Sequence, residues 1–290
     1  MMNDERTLKY RSYVERKLTE RFRPMEDQPQ KPLFESMKYS LLAGGKRLRP
    51  ILCYEFCRLT CGDWKRANAF AQAVEMIHTY RLIHDDLPCM DDDDLRRGRP
   101  TNHKIFGEGI AVLAGDALLT DAFAVAATAK VSCDDMAMAI GVLSECAGSL
   151  GMVGGQVLDI MSEHRVCTEQ EVIDIQPRKT GALINAACVL GVIAGNGNEE
   201  QIRAAAGFAG TLGLAFQIRD DMLDVIGNSK ELGKATNADA GKNTFVRLYG
   251  LEKCEELVRT YTDAAVAQLS VFEDTQYLID LARYLTLRNV

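Results

Sequence analysis

Six aspartates and three arginines fall within the seventeen residues His84–Pro100, HDDLPCMDDDDLRRGRP. Carboxylates packed this closely repel one another unless cations sit among them. A second acidic group recurs far along the chain, in FQIRDDMLD at Phe216–Asp224. Hard divalent cations with oxygen ligands are the natural filling for two such clusters that face each other. Mg²⁺ typically takes one or two carboxylates and completes its shell with water and phosphate oxygens. The spacing and missing central glycine rule out an EF-hand loop. One acidic run alone also describes a solvated surface or a helix end, but the second run lies in an otherwise apolar helix, where charge needs a reason. Arg96 and Arg97 follow the first run directly, and a guanidinium clamps phosphate oxygens in a bidentate fork. Further cations stand in GGKRLRP (Lys46, Arg47, Arg49), RKTG (Lys179, with Thr180) and LGK (Lys234). Aspartate-bound Mg²⁺ ringed by Arg and Lys describes a pocket for diphosphate, with provision for more than one.

Helices must position these groups. Alternating β-branched runs are nearly absent, and the dominant period is helical. The segment AFAQAVEMIHTYRLIHDDLPCMDDDDL reads as a long helix ending near Pro88, which cannot continue it. Asp85 and Asp91 would splay by about 120° on an unbroken helix, so a bend at Pro88 is needed to bring them together. His78 lies about 20° from Asp85 around that helix and about 10 Å away along it. A helix histidine is commonly a satisfied core residue; aligned with the aspartates, this one reads as a phosphate ligand. On the second helix Asp220 and Asp224 share a face, with Gln217 on the same side. TEQE at Thr168 and NEEQ at Asn198 fit capping boxes. No linker, composition shift or internal repeat appears, so residues 1–290 read as one all-α domain, a bundle of about ten or more helices.

Composition bounds the rest. A net charge of -7 argues against a nucleic-acid partner. The nine cysteines form no C-x2-C pair. Cys53, Cys57 and Cys61 fall along one helix face, a pattern for a metal or, more simply, for small buried side chains. Reduced thiols suit the cytoplasm. The charged N-terminus is no signal peptide. Apolar stretches such as GALINAACVLGVIAG fall short of the roughly 20 residues of a membrane span, and none is expected.

With its motifs in this order, the chain resembles the trans-prenyltransferases, the short-chain isoprenyl diphosphate synthases, and among them most closely the bacterial-type farnesyl diphosphate synthases. DDLPCMDDDDLRRGRPT looks like the family's first aspartate-rich motif and FQIRDDMLD like the second; GGKRLRP, GGQVLD, KTGALI and LGK occur in family order, over essentially the whole chain. The resemblance implies an all-α fold around a deep central cavity, in a homodimer. It implies an allylic diphosphate held through Mg²⁺, three ions per site, by Asp85, Asp91 and Asp220, with Arg96, Lys179, Thr180, Gln217 and Lys234 around it. Isopentenyl diphosphate is then held by Lys46, Arg49, His78 and Arg97. The allylic C–O bond ionises, the double bond of isopentenyl diphosphate attacks the cation, and a proton leaves; the departing diphosphate is the implied base. No protein nucleophile is required, and no Ser/His/Asp or Cys/His arrangement offers one. A class I terpene cyclase would not need GGKRLRP and His78, and a non-catalytic subunit would be expected to lose an aspartate motif.

Product length is expected to be set by Tyr80 and Arg81, five and four residues before Asp85. An aromatic ring at position 80 resembles the farnesyl enzymes, against the reading of a packed core tyrosine. Arg81 replaces a small residue common there and Gln176 a common histidine. A guanidinium facing an apolar tail is costly unless paired, for instance with a carboxylate of a second subunit. With Arg81 turned aside the expected product is farnesyl diphosphate; geranyl or geranylgeranyl diphosphate is the alternative.

Overall fold

The computed structural model describes residue 2 and residues 4–22, 27–162, 167–226 and 244–287. In chain order the helices are α1 (Glu5–Phe22), α2 (Lys31–Leu41), α3 (Leu48–Cys61), α4 (Asn68–Asp85), α5 (Asn102–Phe106), α6 (Glu108–Ala126), α7 (Cys133–Ala147), α8 (Met152–Ser162), α9 (Glu169–Gln176), α10 (Ala182–Ala194), α11 (Glu199–Ile226), α12 (Phe245–Gln268) and α13 (Gln276–Leu287). The capping boxes form as read. Thr168 caps α9 reciprocally with Glu171, and Asn198 exchanges bonds of 2.9 and 3.1 Å with Gln201. Gly250, at φ 74°, interrupts α12, where helical φ/ψ fails.

The helix α10 is the axis of the bundle. Leu183, Ile184 and every residue from Ala186 to Ala194 are buried, as expected of a helix apolar on all sides. It packs on α3, α11, α7 and α4. Small residues set the spacing: a Cβ on Gly191 would lie 2.3 Å from the Cys53 carbonyl oxygen of α3. Cys53 and Cys57 are buried on this face, and burial pushes both thiols up. Cys53 and Cys57 thus serve as small packing side chains, while Cys61, the third of the row, is exposed; among the described residues no three His, Cys, Asp or Glu side chains stand close enough to hold a metal by themselves. One hydrophobic cluster runs from Tyr10 of α1 to Leu285 of α13; a smaller one joins α9, α11 and α12 through Val172, Met222 and Val258.

Two segments have the length and apolarity of a membrane span, Glu108–Ala126 and Cys133–Ser162, which the sequence reading passed over. The first is α6, whose Ala111, Ala114, Leu118 and Ala122 are buried and which packs on α4. The second is two helices, α7 and α8, parted by a turn. Both segments leave large apolar side chains exposed, among them Val112, Leu113, Leu150, Val153, Val157 and Met161.

Candidate active site

One face of α4 carries Glu75, His78, Arg81 and Asp85, spaced at three or four residues so that they stack along the helix. The helix stops at Asp85, as Pro88 requires. The chain then doubles back: Asp91 N–H donates to the Asp85 carbonyl at 2.9 Å and Asp92 N–H to Leu87 at 3.1 Å. The bend read from Pro88 thus returns Asp91 to Asp85. A short hairpin follows, β1 (Leu95–Arg96) against β2 (Arg99–Pro100), a feature the helical period gave no reason to expect. Its turn places Arg97 and Gly98 at φ 55° and 72°, the pair of positive angles that a tight two-residue hairpin requires.

That turn aims the two arginines differently. Arg96 faces the acidic loop: its Nε donates to Asp86 at 2.9 Å and its Nη2 to Asp86 and, at 2.9 Å, to Asp93. Arg97 reaches across to donate to the Gly44 carbonyl. Gly45, at φ 126°, leaves the space that the guanidinium fills; a Cβ there would lie 2.7 Å from Arg97 Cζ. The double glycine of GGKRLRP is therefore the seat of Arg97.

A cavity of about 540 Å³ opens between these elements. Lys46, Arg49, His78 and Arg97 form a basic wall, and Thr180, Gln217 and Asp220 stand on the other side, with Leu48, Ile184 and Phe216 as apolar surface. The side chains that the sequence assigned to isopentenyl diphosphate are thus brought together, with part of the allylic set opposite. Arg47, in the same basic run, has another task. It is buried and bonds Glu75 at 2.6 Å, Glu15 at 3.4 Å and the Leu41 carbonyl at 2.8 Å, pinning the basic loop to α4. Asp85, Asp91, Arg96, Lys179 and Tyr80 do not line this cavity. Tyr80 is buried and meets His84 edge-on, centroids 5.6 Å apart. Arg81 does line the cavity, and its Nη2 bonds Asp85 Oδ2 at 3.0 Å; the carboxylate that pairs it is in its own chain. Lys234 lies outside the described residues.

The third element is a π-helical turn, Pro177–Gly181, between α9 and α10. Such turns are rare and recur at functional sites. This one rests on α8, because Gly155 has no side chain: a Cβ would lie 2.3 Å from Lys179 N. One turn further along α8, Asp159 accepts a bond from Lys179 Nζ. Thr180 Oγ1 donates to Gln217 Oε1 at 3.0 Å, and Gln217 Nε2 donates to Asp221 Oδ1 at 2.9 Å. Asp221 Oδ2 accepts the Phe245 N–H at 2.8 Å, so this aspartate secures the start of α12 while its neighbour Asp220 faces the cavity. Asp86, Asp159 and Asp221 hold site residues in place; each lies in a string that marks the site in sequence, and nothing in those strings told this holding role apart.

The charges leave a cavity prepared for anions. Burial, then the neighbouring Arg49, Arg81, Arg97 and Arg47, drives His78 well below the ordinary histidine range, so its ring is neutral near pH 7. Burial brings Arg49 down to about 10 and lowers Arg97 as well. Arg49 Nε and His78 Nδ1 are enclosed and without hydrogen-bond partners, a costly condition that an anion relieves. On the acidic side, burial raises Asp85, with Asp91 adding to it, while Arg81 and Lys179 pull it back. Asp85 at the end of α4 and Asp91, which the loop returns to it, are oxygen donors suited to Mg²⁺, whose remaining positions phosphate oxygens would fill. The donor set fits that ion.

A helical bundle that sets a basic cavity against aspartates on two helices defines a class: the prenyltransferases that act on isoprenyl diphosphates. The chain belongs to the polyprenyl synthetase family, whose model matches residues 30–279. It is 49% identical over 264 residues to geranylgeranyl pyrophosphate synthase, chloroplastic, of Catharanthus roseus, covering 89% of this chain and 74% of the relative. It is 48% identical over 268 residues to the heterodimeric geranylgeranyl pyrophosphate synthase large subunit 1, chloroplastic, of Arabidopsis thaliana, covering 89% and 72%. Among solved structures, an FPP/GFPP synthase from Zymomonas mobilis superposes with a TM-score of 0.86 at 38% identity, covering 97% of each chain. The two plant relatives carry geranylgeranyl names where the sequence reading had favoured farnesyl.

Proposed function

We propose that this protein is a short-chain isoprenyl diphosphate synthase that extends an allylic diphosphate with isopentenyl diphosphate, with geranylgeranyl diphosphate as the product. The observation that carries the reaction is the shared cavity, where Lys46, Arg49, His78 and Arg97 face Thr180, Gln217 and Asp220. The C20 product is supported by the names of relatives 48% and 49% identical. Farnesyl diphosphate is the second reading, favoured by the buried aromatic ring of Tyr80 five residues before Asp85.

In this reading the basic wall holds isopentenyl diphosphate by its diphosphate and directs its double bond toward the opposite wall. The allylic diphosphate lies between Asp85, Asp91 and Asp220, with Lys179, Thr180, Gln217, Arg96 and Lys234 as its protein donors. Asp85, Asp91 and Asp220 would hold Mg²⁺, which would neutralise the diphosphate charge. Lys179 and Thr180 contribute donors placed before the C–O bond ionises, so little reorganisation is needed as charge grows on the leaving oxygen. Ile184, Phe216 and Leu48 exclude water that would quench the allylic cation. The double bond then attacks, and the released diphosphate accepts the proton that restores an alkene. A homodimer is part of the proposal, supported by the apolar side chains that α6 and α8 leave exposed, Val112, Leu113, Val153, Val157 and Met161; such surface on a folded chain marks an interface.

The test is incubation with Mg²⁺, isopentenyl diphosphate and dimethylallyl diphosphate, followed by sizing of the dephosphorylated alcohols. A C20 alcohol supports the first reading and a C15 alcohol the second. Absence of any elongated product refutes the reaction.

A further inference from the structure

Arg81 stands where the two poles meet. It lies on α4 between His78 and Asp85, three and four residues away. Its Nη2 bonds Asp85 Oδ2 at 3.0 Å, while the same side chain lines the cavity beside Lys46, Arg49, His78 and Arg97. One contact to one carboxylate leaves most of a guanidinium's five N–H donors to be placed. Arg81 Nε is enclosed and has no hydrogen-bond partner, the condition also of Arg49 Nε and His78 Nδ1. Three residues that line one cavity each enclose such a nitrogen, and two of the three are arginines. Like charges do not gather in a recess without something to gain. Arg81 presses on its neighbours: it is among the charges that lower Arg49 and His78. A ligand carrying several anionic oxygens would offer these nitrogens acceptors and relieve the repulsion at once.

We propose that Arg81 is a diphosphate-binding residue of the isopentenyl site, anchored at one nitrogen by Asp85 and free to offer its remaining donors to the ligand. This rests on the function proposed above. It places Arg81 at the polar end of the cavity and not at the floor of the hydrocarbon channel, which its position in sequence also allowed. Tyr80, the preceding residue, points elsewhere, packing on His84. The Asp85 contact also fixes the direction of Arg81: the carboxylate restrains the guanidinium, and a restrained fork loses less freedom on binding.

The test is titration calorimetry of isopentenyl diphosphate into full-length protein in excess chelator, so that the aspartate-held ions do not contribute. The variants are Arg81→Gln and Arg81→Lys, with thermal melts as a check on folding. Loss of a charge-assisted bond predicts that Arg81→Gln weakens binding roughly ten- to a hundredfold. Arg81→Lys keeps the charge but not the fork, so its loss should be measurable and smaller; it carries the test if the glutamine variant does not fold. Product length should be the same in all three proteins. Wild-type affinity in either folded variant, or no chelator-resistant binding to the wild type, overturns the proposal. So does an altered product length with unaltered affinity, which would return Arg81 to the hydrocarbon channel. The two readings fail separately. A wild type that turns over, paired with variants of normal affinity, sinks the role of Arg81 alone. A wild type that makes no elongated product, with affinity still lost in Arg81→Gln, sinks the reaction and keeps the anion site.

Discussion

Replacing Gly155 by alanine is a one-carbon change that should reach the allylic pole without touching a charged group. The added Cβ would lie 2.3 Å from Lys179 N, 2.7 Å from Lys179 Cα and 2.8 Å from the Arg178 carbonyl carbon, where ordinary contact begins near 3.4 Å. All three atoms are backbone, so no side chain can swing away. The π turn and α8 must separate by about 1 Å, since close-packed interiors relax little. Lys179 and Thr180 travel with the turn, and the bonds from Lys179 to Asp159 and from Thr180 to Gln217 are strained or lost. Overpacking of this kind costs about 1–3 kcal/mol of stability. A shift of about 1 Å in a positioning group can cost about a hundredfold in rate. Lys46, Arg49 and His78 sit on other elements, so affinity for isopentenyl diphosphate should hold. The assay is steady-state kinetics with both substrates varied, alongside thermal melts and calorimetric binding. Gly210→Ala on α11 is the control, because nothing lies within 4 Å of its Cβ; it should match or slightly exceed wild-type stability, as alanine outperforms glycine in a helix. Wild-type kcat and wild-type melting in Gly155→Ala would refute the claim that this contact positions Lys179 and Thr180.

Turnover should vanish in excess chelator, and Asp220→Ala should lower kcat by about 10²–10³-fold with the melt retained; full activity in chelator would dismiss the aspartate-held metal. His78 gives the fold a pH dependence of known sign. Its folded pKa lies well below the ordinary histidine value of about 6.5, so the unfolded state takes up the proton first, and the stability this residue allows is present above about pH 6.5 and lost as pH falls. The slope is at most about 1.4 kcal/mol per pH unit. His78→Gln should flatten the denaturant-measured stability profile between pH 6.5 and 5, and an unchanged profile would show that the ring titrates normally. Tyr80→Ala should shift the product distribution toward longer chains than the parent makes, as read by chromatography of the alcohols; an identical distribution would leave the ring a buried packing residue beside His84.

What the sequence disclosed follows from what each inference requires. Asp85, Asp91 and Asp220 were legible because carboxylates crowded in sequence repel one another unless cations sit among them, and Pro88 announced the bend that returns Asp91 to Asp85. Lys46, Arg49, His78 and Arg97 were legible as types suited to diphosphate, and they meet in one cavity. Residues that act through a partner were not. Nothing local in GGQVLD says that its aspartate will hold Lys179, because the partner lies twenty positions away on a different element. Asp221 could not be told from Asp220 by spacing; only the arrival of Phe245 N–H at 2.8 Å assigns it to the fold. The hairpin at Leu95–Pro100 escaped because two-residue strands leave no alternation to read, yet it decides that Arg96 braces the acidic loop while Arg97 enters the cavity. The apolar character of α6 was missed for a different reason: its alanines and glycines do not look like a core, although they bring it against α4. Arg81 joins both difficulties. Its place four residues before Asp85 permitted either a turn along the hydrocarbon path or a bond to the aspartate. That choice depends on which neighbour removes more of the cost of burying a guanidinium. A carboxylate at 3.0 Å removes more than an alkyl chain can, and the same argument that draws Arg81 to Asp85 keeps it at the polar end of the cavity once a diphosphate arrives.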